Sequence, residues 1–187
     1  RSLDPFLKTL RQCVLPDMDI NLTLAGRRNN EGLACIHRRA NTMDIYFVSN
    51  MQEADFNASA GFRATKGNPC FWDAHTGTRH PIRTYSRDNE YTRFQLSLAP
   101  FDSRFIVFEN TDAAEQEQPH IVQSDFAEIL AADNAGFSAL AKHNGTHACQ
   151  FSNGGDIHAG TVNVEGVPSE YTVNGNWNLQ FGNKEDA

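Results

Sequence analysis

The most constraining feature of this chain is a rhythm. Between Leu33 and Glu109, short runs of alternating apolar and polar residues are separated by Gly, Asn, Asp or Pro turns at intervals of roughly ten residues. A strand sends successive side chains to opposite faces, so each such run specifies one buried face and one open face. Residues 33–38, 44–49, 56–64, 69–73, 80–85, 91–98 and 103–109 read as strands, with turns at 40–42, 76–78 and 86–90. Many short strands at that spacing predict an antiparallel β-sandwich over 31–111.

The flanks read differently. Residues 3–15 predict a short helix, with Asp4 as cap, Pro5 at the first helical position, and Phe6, Leu7, Leu10 and Val14 recurring at helical spacing until Pro16. Residues 17–24 then alternate as a strand, and 26–32 form a loop. The polar, acidic stretch 111–118 reads as a linker. Beyond it, 124–132 fits either a short helix capped by Ser124 or a strand. Runs 137–142 and 146–151 are expected to pair across His143-Asn144-Gly145, because Asn-Gly tolerates positive φ at both turn positions. A turn at 152–155, an alternating run at 157–164, and a last hairpin joining 171–173 to 177–181 complete a smaller β-module. The expected class is therefore mainly β: a short N-terminal helix, an antiparallel β-sandwich, then a smaller β-module. The division is 1–30, 31–111 and 112–187.

Composition removes several functions. Of 187 residues, 40% are apolar, including 13 Phe, enough for packed cores. Mean hydropathy is −0.52, and no apolar run approaches the roughly 18 residues of a spanning helix, so a soluble chain without membrane contact is expected. Asp and Glu (23) outnumber Lys and Arg (16), giving a formal charge of −7. Nucleic-acid binding needs clustered positive charge. The pairs Arg27-Arg28 and Arg38-Arg39 are too few, and read as solvated or salt-bridged. Cys13, Cys35, Cys70 and Cys149 are scattered without a C-x-x-C pair and read as free thiols. Among seven His, His143 and His147 lie four apart across the expected Asn-Gly turn; no metal site and no cofactor is assigned. Neither a phosphate loop nor a G-x-S-x-G elbow is present. The chain opens at Arg1 with no initiator Met and no signal-peptide pattern, which reads as an excised or processed piece. Its native compartment is not recorded, a bacterial periplasmic or secreted setting being one option.

Four stretches carry a resemblance to a known family. They are Ile36-His37-Arg38-Arg39 leading through a turn into Asp44-Ile45-Tyr46-Phe47-Val48-Ser49-Asn50; Phe71-Trp72-Asp73-Ala74-His75-Thr76-Gly77; Leu96 to Phe108 with Pro100 and Asp102 between its two strands; and Val173-Asn174-Gly175-Asn176-Trp177-Asn178-Leu179-Gln180-Phe181. In order and spacing, over about residues 30–181, they resemble the C-terminal, post-barrel region of the family 106 α-L-rhamnosidases. His75 and Asn176 depart from that pattern. The resemblance implies a carbohydrate-enzyme context, an oligosaccharide or glycoside as partner, and catalytic carboxylates upstream on a barrel. It also implies that 1–30 is the tail of a preceding domain and 169–187 the start of a following one. Cut edges of that kind favour self-association.

The residues themselves offer two candidate sites. Glycoside hydrolysis needs two carboxyls about 5–5.5 Å apart for retention or about 6.5–9.5 Å for inversion. Asp44 and Asp73 lie beside aromatics, with His37 and His75 nearby in sequence, and are the catalytic candidates. A pyranose packs its C–H face on an exposed indole while polar groups take its hydroxyls. Trp72, with Asp73, His75 and Arg79, is the sugar-binding candidate, whereas Trp177 reads as a core residue. Three functions compete: an accessory sandwich of a glycosidase, bracing or weakly glycan-binding; a small free-standing glycoside hydrolase; and a purely structural interaction module.

Overall fold

The computed structural model describes residues 4–21, 32–109, 118–176 and 178. The chain opens with α1 (Asp4–Cys13) and β1 (Met18–Asn21), followed by β2 (Leu33–Ala40), β3 (Met43–Asn50), β4 (Phe56–Phe62), β5 (Asn68–Trp72), β6 (Arg79–Pro81), β7 (Ser86–Arg87), β8 (Thr92–Leu98) and β9 (Ser103–Glu109). Then come β10 (His120–Ser124), β11 (Glu128–Asp133), β12 (Gly136–Leu140), β13 (Gly145–Asn153) and β14 (Asp156–Val164). The architecture is mainly β with antiparallel sheets, as the alternation predicts.

Two sheets form the sandwich, one of four strands in the order β1-β4-β8-β7 and one of five in the order β2-β3-β9-β5-β6. β1 pairs with β4 (Met18 opposite Phe62), so a strand from the N-terminal segment supplies one edge of the sandwich. Between the sheets lies a core of Tyr46, Val48, Ile106 and Phe108 from one side and Ala60, Phe62, Phe94, Leu96 and Leu98 from the other, all buried. Phe62 stacks on Phe94 at 5.1 Å, and Tyr46 meets Phe62 and Phe108 edge-on. Such offset and edge-on pairs favour one packing over its alternatives.

The register decides what faces outward. In the five-stranded sheet, Tyr46, Ile106 and Phe71 are opposite one another and point inward. One position along, Ile36, Phe47, Phe105 and Trp72 form a row across the outer face. On the outer face of the other sheet the corresponding positions are polar: Asp19, Ser59, Asn57, Arg93, Gln95 and Ser97. There Arg93 crosses over Gly61, where an added Cβ would come within 2.6 Å of its guanidinium, to reach Asp19 at 2.9 Å. The two outer faces are thus chemically unlike.

Residues 118–176 build the smaller module. β10, β13 and β14 form a three-stranded sheet, and β11 pairs with β12. Within 124–132 no helix forms: Ser124 ends β10, 125–127 make a local turn in which the Ser124 hydroxyl accepts from the Phe126 N–H, and 128–132 lie in β11. The hairpin expected across Asn144-Gly145 does not form. β12 takes β11 as partner, and β13 is sandwiched between β10 and β14, so its hydrogen bonds are spent on other strands. The second expected turn does close a hairpin: Asn153 faces Asp156 around Gly154 and Gly155, at φ of 64° and 92°. Three smaller differences complete the comparison. Only His80 and Pro81 of the expected strand 80–85 lie in the sheet, as part of β6, the turn at 86–90 begins with the two residues of β7, and 171–173 carry no strand. The expected linker up to 117, the loop 26–31 and Trp177 lie outside the described residues.

Phe126, Phe137, Phe151 and His147 form the module's own aromatic cluster. A seam joins module to sandwich. Ile121 lies parallel to Thr84, donating to the Arg83 carbonyl at 2.8 Å and accepting from the Tyr85 N–H at 2.9 Å. Beside this bridge the rings of Tyr85 and His120, both buried, stack at 3.8 Å.

Candidate functional site

Asp44 and His37 are brought together by register. They lie on neighbouring strands, β3 and β2, with inward-facing side chains two residues apart along the ladder. His37 Nε2 is 2.8 Å from Asp44 Oδ1, and its Nδ1 is 3.2 Å from Oδ1 of Asp17. A neutral imidazole carries one N–H and donates to one of these carboxylates; a protonated ring donates to both. Arg39 Nε donates to the same Asp44 oxygen at 2.9 Å, and Arg63 Nη2 donates to Asp17 at 2.5 Å. Hydrogen bonding to Asp44 holds the Arg39 guanidinium above its ordinary pKa, with the Coulombic pull of the same carboxylate second.

This network is inward and dry at its centre. The Asp44 side chain is 3% exposed and His37 13%, with Arg39 (70%) at the rim. His37 stacks flat on Tyr46 at 4.2 Å. The Tyr46 hydroxyl is buried, and no hydrogen-bond partner lies among the described residues. Burial first, and the charges of Asp44 and Asp17 next, push that phenol far above its usual pKa. Burial, with Asp17 second, also pushes the neighbouring Cys35 thiol up to about 11. Both groups are therefore neutral in the fold. Sequence reasoning missed Asp17, Arg63 and Tyr46 as members of this network. Asp17 and Arg63 flank strands of the opposite sheet, so only the closing of the sandwich brings them to His37.

As catalytic geometry the arrangement is unpromising. The imidazole of His37 fills the space between Asp17 and Asp44, where a glycosidic oxygen and its water would have to sit. What the arrangement does well is structural, because it ties one sheet to the other through charge-assisted hydrogen bonds.

Asp73 and His75 are elsewhere. Asp44 lies opposite Phe108 on β9, whereas Trp72 lies opposite Phe105, at the far end of the same strand and one strand beyond. At about 3.3 Å per residue and about 4.8 Å per strand, Asp44 and Asp73 are on the order of 16 Å apart. That exceeds both carboxylate separations of glycosidases. Asp73 is half-buried and caps the β5–β6 turn, accepting from the backbone N–H of His75 at 2.8 Å and of Thr76 at 3.4 Å. Those donors, the His75 amide first, hold its pKa below the usual value. His75 is exposed on this turn.

Trp72 stands on the outer face, half-buried. Phe105 meets it at 6.4 Å, Phe47 lies 4.9 Å beyond Phe105, and Ile36 is 53% exposed at the end of the row. The guanidinium of Arg79 sits 5.6 Å over the indole and pairs with Glu109. Trp72, Arg79, Asp73 and His75 thus share one hairpin, with a cation already on one face of the indole. All four cysteines are free. His143 and His147 stack at 4.7 Å, yet among the described residues no group of three or more His, Cys, Asp or Glu could hold a metal.

Parts of this chain are similar to known proteins. Residues 6–87, from α1 through β7, match the family model described as alpha-L-rhamnosidase. A Formosa agariphila protein named "Putative beta-glucuronidase" is 28% identical over 93 residues, 49% of this chain and 8% of that protein. The solved structure of a rhamnosidase from Novosphingobium sp. PP1Y aligns with 80% of this chain and 16% of its own, at 22% identity and a TM-score of 0.49. This chain therefore spans a small part of the length of each relative. Among the described residues, no helix is long and apolar enough to cross a membrane.

Proposed function

We propose that this chain is an accessory, non-catalytic β-sandwich segment of an α-L-rhamnosidase-like glycoside hydrolase, and that its aromatic outer face packs against the rest of that enzyme. The observation that carries this reading is the contrast between the two outer faces. The outer face of the four-stranded sheet is finished in polar side chains, whereas that of the five-stranded sheet carries the apolar row of exposed Ile36 and half-buried Phe47, Phe105 and Trp72. A large apolar patch is costly to leave in water and marks an interaction surface. The exposed Phe6 and Leu10 of α1, with Val14 just beyond it, add a second apolar surface at the N-terminal side. The family match over residues 6–87 supports the enzyme context, and the separation of Asp44 from Asp73 supports the non-catalytic role.

Chromogenic aryl glycosides test the reading directly. The purified chain is expected to turn over none, rhamnosides included. Turnover that disappears in Asp44→Ala or Asp73→Ala would instead make it a small glycoside hydrolase. A second reading, weak glycan binding at Trp72, Asp73, His75 and Arg79, is favoured by their gathering on one exposed hairpin. Saturable quenching of tryptophan fluorescence by rhamnose or galactose, lost in Trp72→Ala, is its expected signature. A flat titration would leave the packing role alone.

A further inference from the structure

We propose that the cleft at the seam between sandwich and module is a binding site for a carboxylate-bearing pyranose, that is, a uronate. The cleft has a volume of about 360 Å³ and is formed jointly by the β5–β6 edge, the 82–85 segment and the start of β10. That volume is in the range of small-molecule sites. Its deepest members are the stacked, buried rings of Tyr85 and His120. The bridge of Ile121 to Arg83 and Tyr85 holds its two sides in register.

Charge selects the ligand. Two guanidiniums line the cleft, Arg79 and Arg83. Arg79 is neutralised by its pair with Glu109. Arg83 is half-buried, and among the described residues no carboxylate lies within ion-pair range; its Nη1 reaches only the Pro81 carbonyl, at 3.5 Å. A planar guanidinium binds a carboxylate in two parallel hydrogen bonds, a geometry that an ammonium or a water cannot match. In a chain of net charge −7, a half-buried guanidinium in a cleft with no carboxylate in ion-pair range among the described residues is a specific local signal.

Shape and polarity supply the sugar half. Pro81, Pro119 and Ile82 give rigid apolar walls for the C–H face of a ring. The amide of Gln118, whose backbone N–H already donates to Asn68 Oδ1 at 3.1 Å, and the Glu109 carboxylate provide donors and acceptors for hydroxyls. The sugar half rests on the glycoside-hydrolase reading above; the carboxylate half rests on Arg83 alone.

Amide chemical-shift mapping on the full 187-residue chain separates the two. Glucuronate and galacturonate are expected to give saturable shifts around Arg83 and Gln118, with glucose at least roughly tenfold weaker, since a charged hydrogen-bonded pair is worth about 1.5–3 kcal/mol. Arg83→Gln should abolish the response while keeping a dispersed spectrum, and Arg83→Lys should retain a weakened one. Raising salt from about 20 mM to about 500 mM should weaken uronate binding several-fold without any substitution. Glucose binding as well as the uronates, an unaffected Arg83→Gln, or insensitivity to salt overturns the carboxylate half. Succinate binding as tightly as the uronates overturns the sugar half. Neither result bears on the aryl glycoside assay, so the accessory reading stands or falls separately.

Discussion

Asp44 shows how a carboxylate in a sugar-enzyme context can be fully occupied by structure. It is buried, accepts from Arg39 and lies 2.8 Å from His37 Nε2, so replacing it removes the guanidinium's charge-assisted acceptor and leaves His37 with Asp17 alone. Asp44→Ala should cost about 2–3 kcal/mol in denaturant unfolding, the loss of hydrogen bonds to a charged group plus the desolvation of the partners left behind. Asp73→Ala, at an exposed turn, should shift the midpoint far less. Equal effects of the two would mean that the Asp17–His37–Asp44 clasp does not hold the sheets together. The sequence made Asp44 and His37 legible as a pair, because strands 33–38 and 44–49 had to be neighbours across a short turn. Asp17 was not legible. Its partner is twenty residues away on the opposing sheet, and local pattern carries no information about which sheet edges meet.

At the scale of elements, period-two alternation was a reliable guide wherever one face met a core. β3, β4 and β8 lie where Tyr46, Phe62 and Leu96 demanded a buried side. Turn chemistry was a weaker guide. Asn144-Gly145 has the residues of a hairpin turn, yet the pairing of β13 with the more distant β10 and with its hairpin partner β14 prevailed. Gly154-Gly155 has a similar signal and does close its hairpin, because the flanking strands have no better partner. Both glycines adopt positive φ, where an L side chain costs on the order of 1–2 kcal/mol. Gly155→Val should therefore destabilise by about that amount, with Gly154→Asn tolerated, as read by thermal unfolding. The same loss from Gly145→Val, at φ 130°, would reflect a strained strand entry and not a hairpin.

For the whole molecule, the unlike outer faces decide behaviour in solution. The outer row of exposed Ile36 and half-buried Phe47, Phe105 and Trp72, together with the exposed edge strand β14 of the smaller module, is expected to drive concentration-dependent self-association of the isolated chain. Sedimentation should show dimer growing with concentration, and Phe47→Lys should suppress it while lowering binding of an apolar dye. Monomer throughout, with dye binding unchanged by the substitution, would argue that this face is not an interaction surface. The face was half legible: the parity of Phe71 and Trp72 placed them on opposite sides. The seam cleft was not legible, since it exists only where two separately patterned units meet.

The position of β9 has a consequence for how the protein is made. It is the middle strand of the five-stranded sheet, pairing with β3 on one side and β5 on the other, and it is the last strand of the sandwich in chain order. Until Glu109 has left the ribosome, β3 and β5 are unjoined and the core lacks Ile106 and Phe108. Strands β2 to β8 therefore emerge before the strand that joins β3 to β5, and the sandwich closes only once β9 arrives.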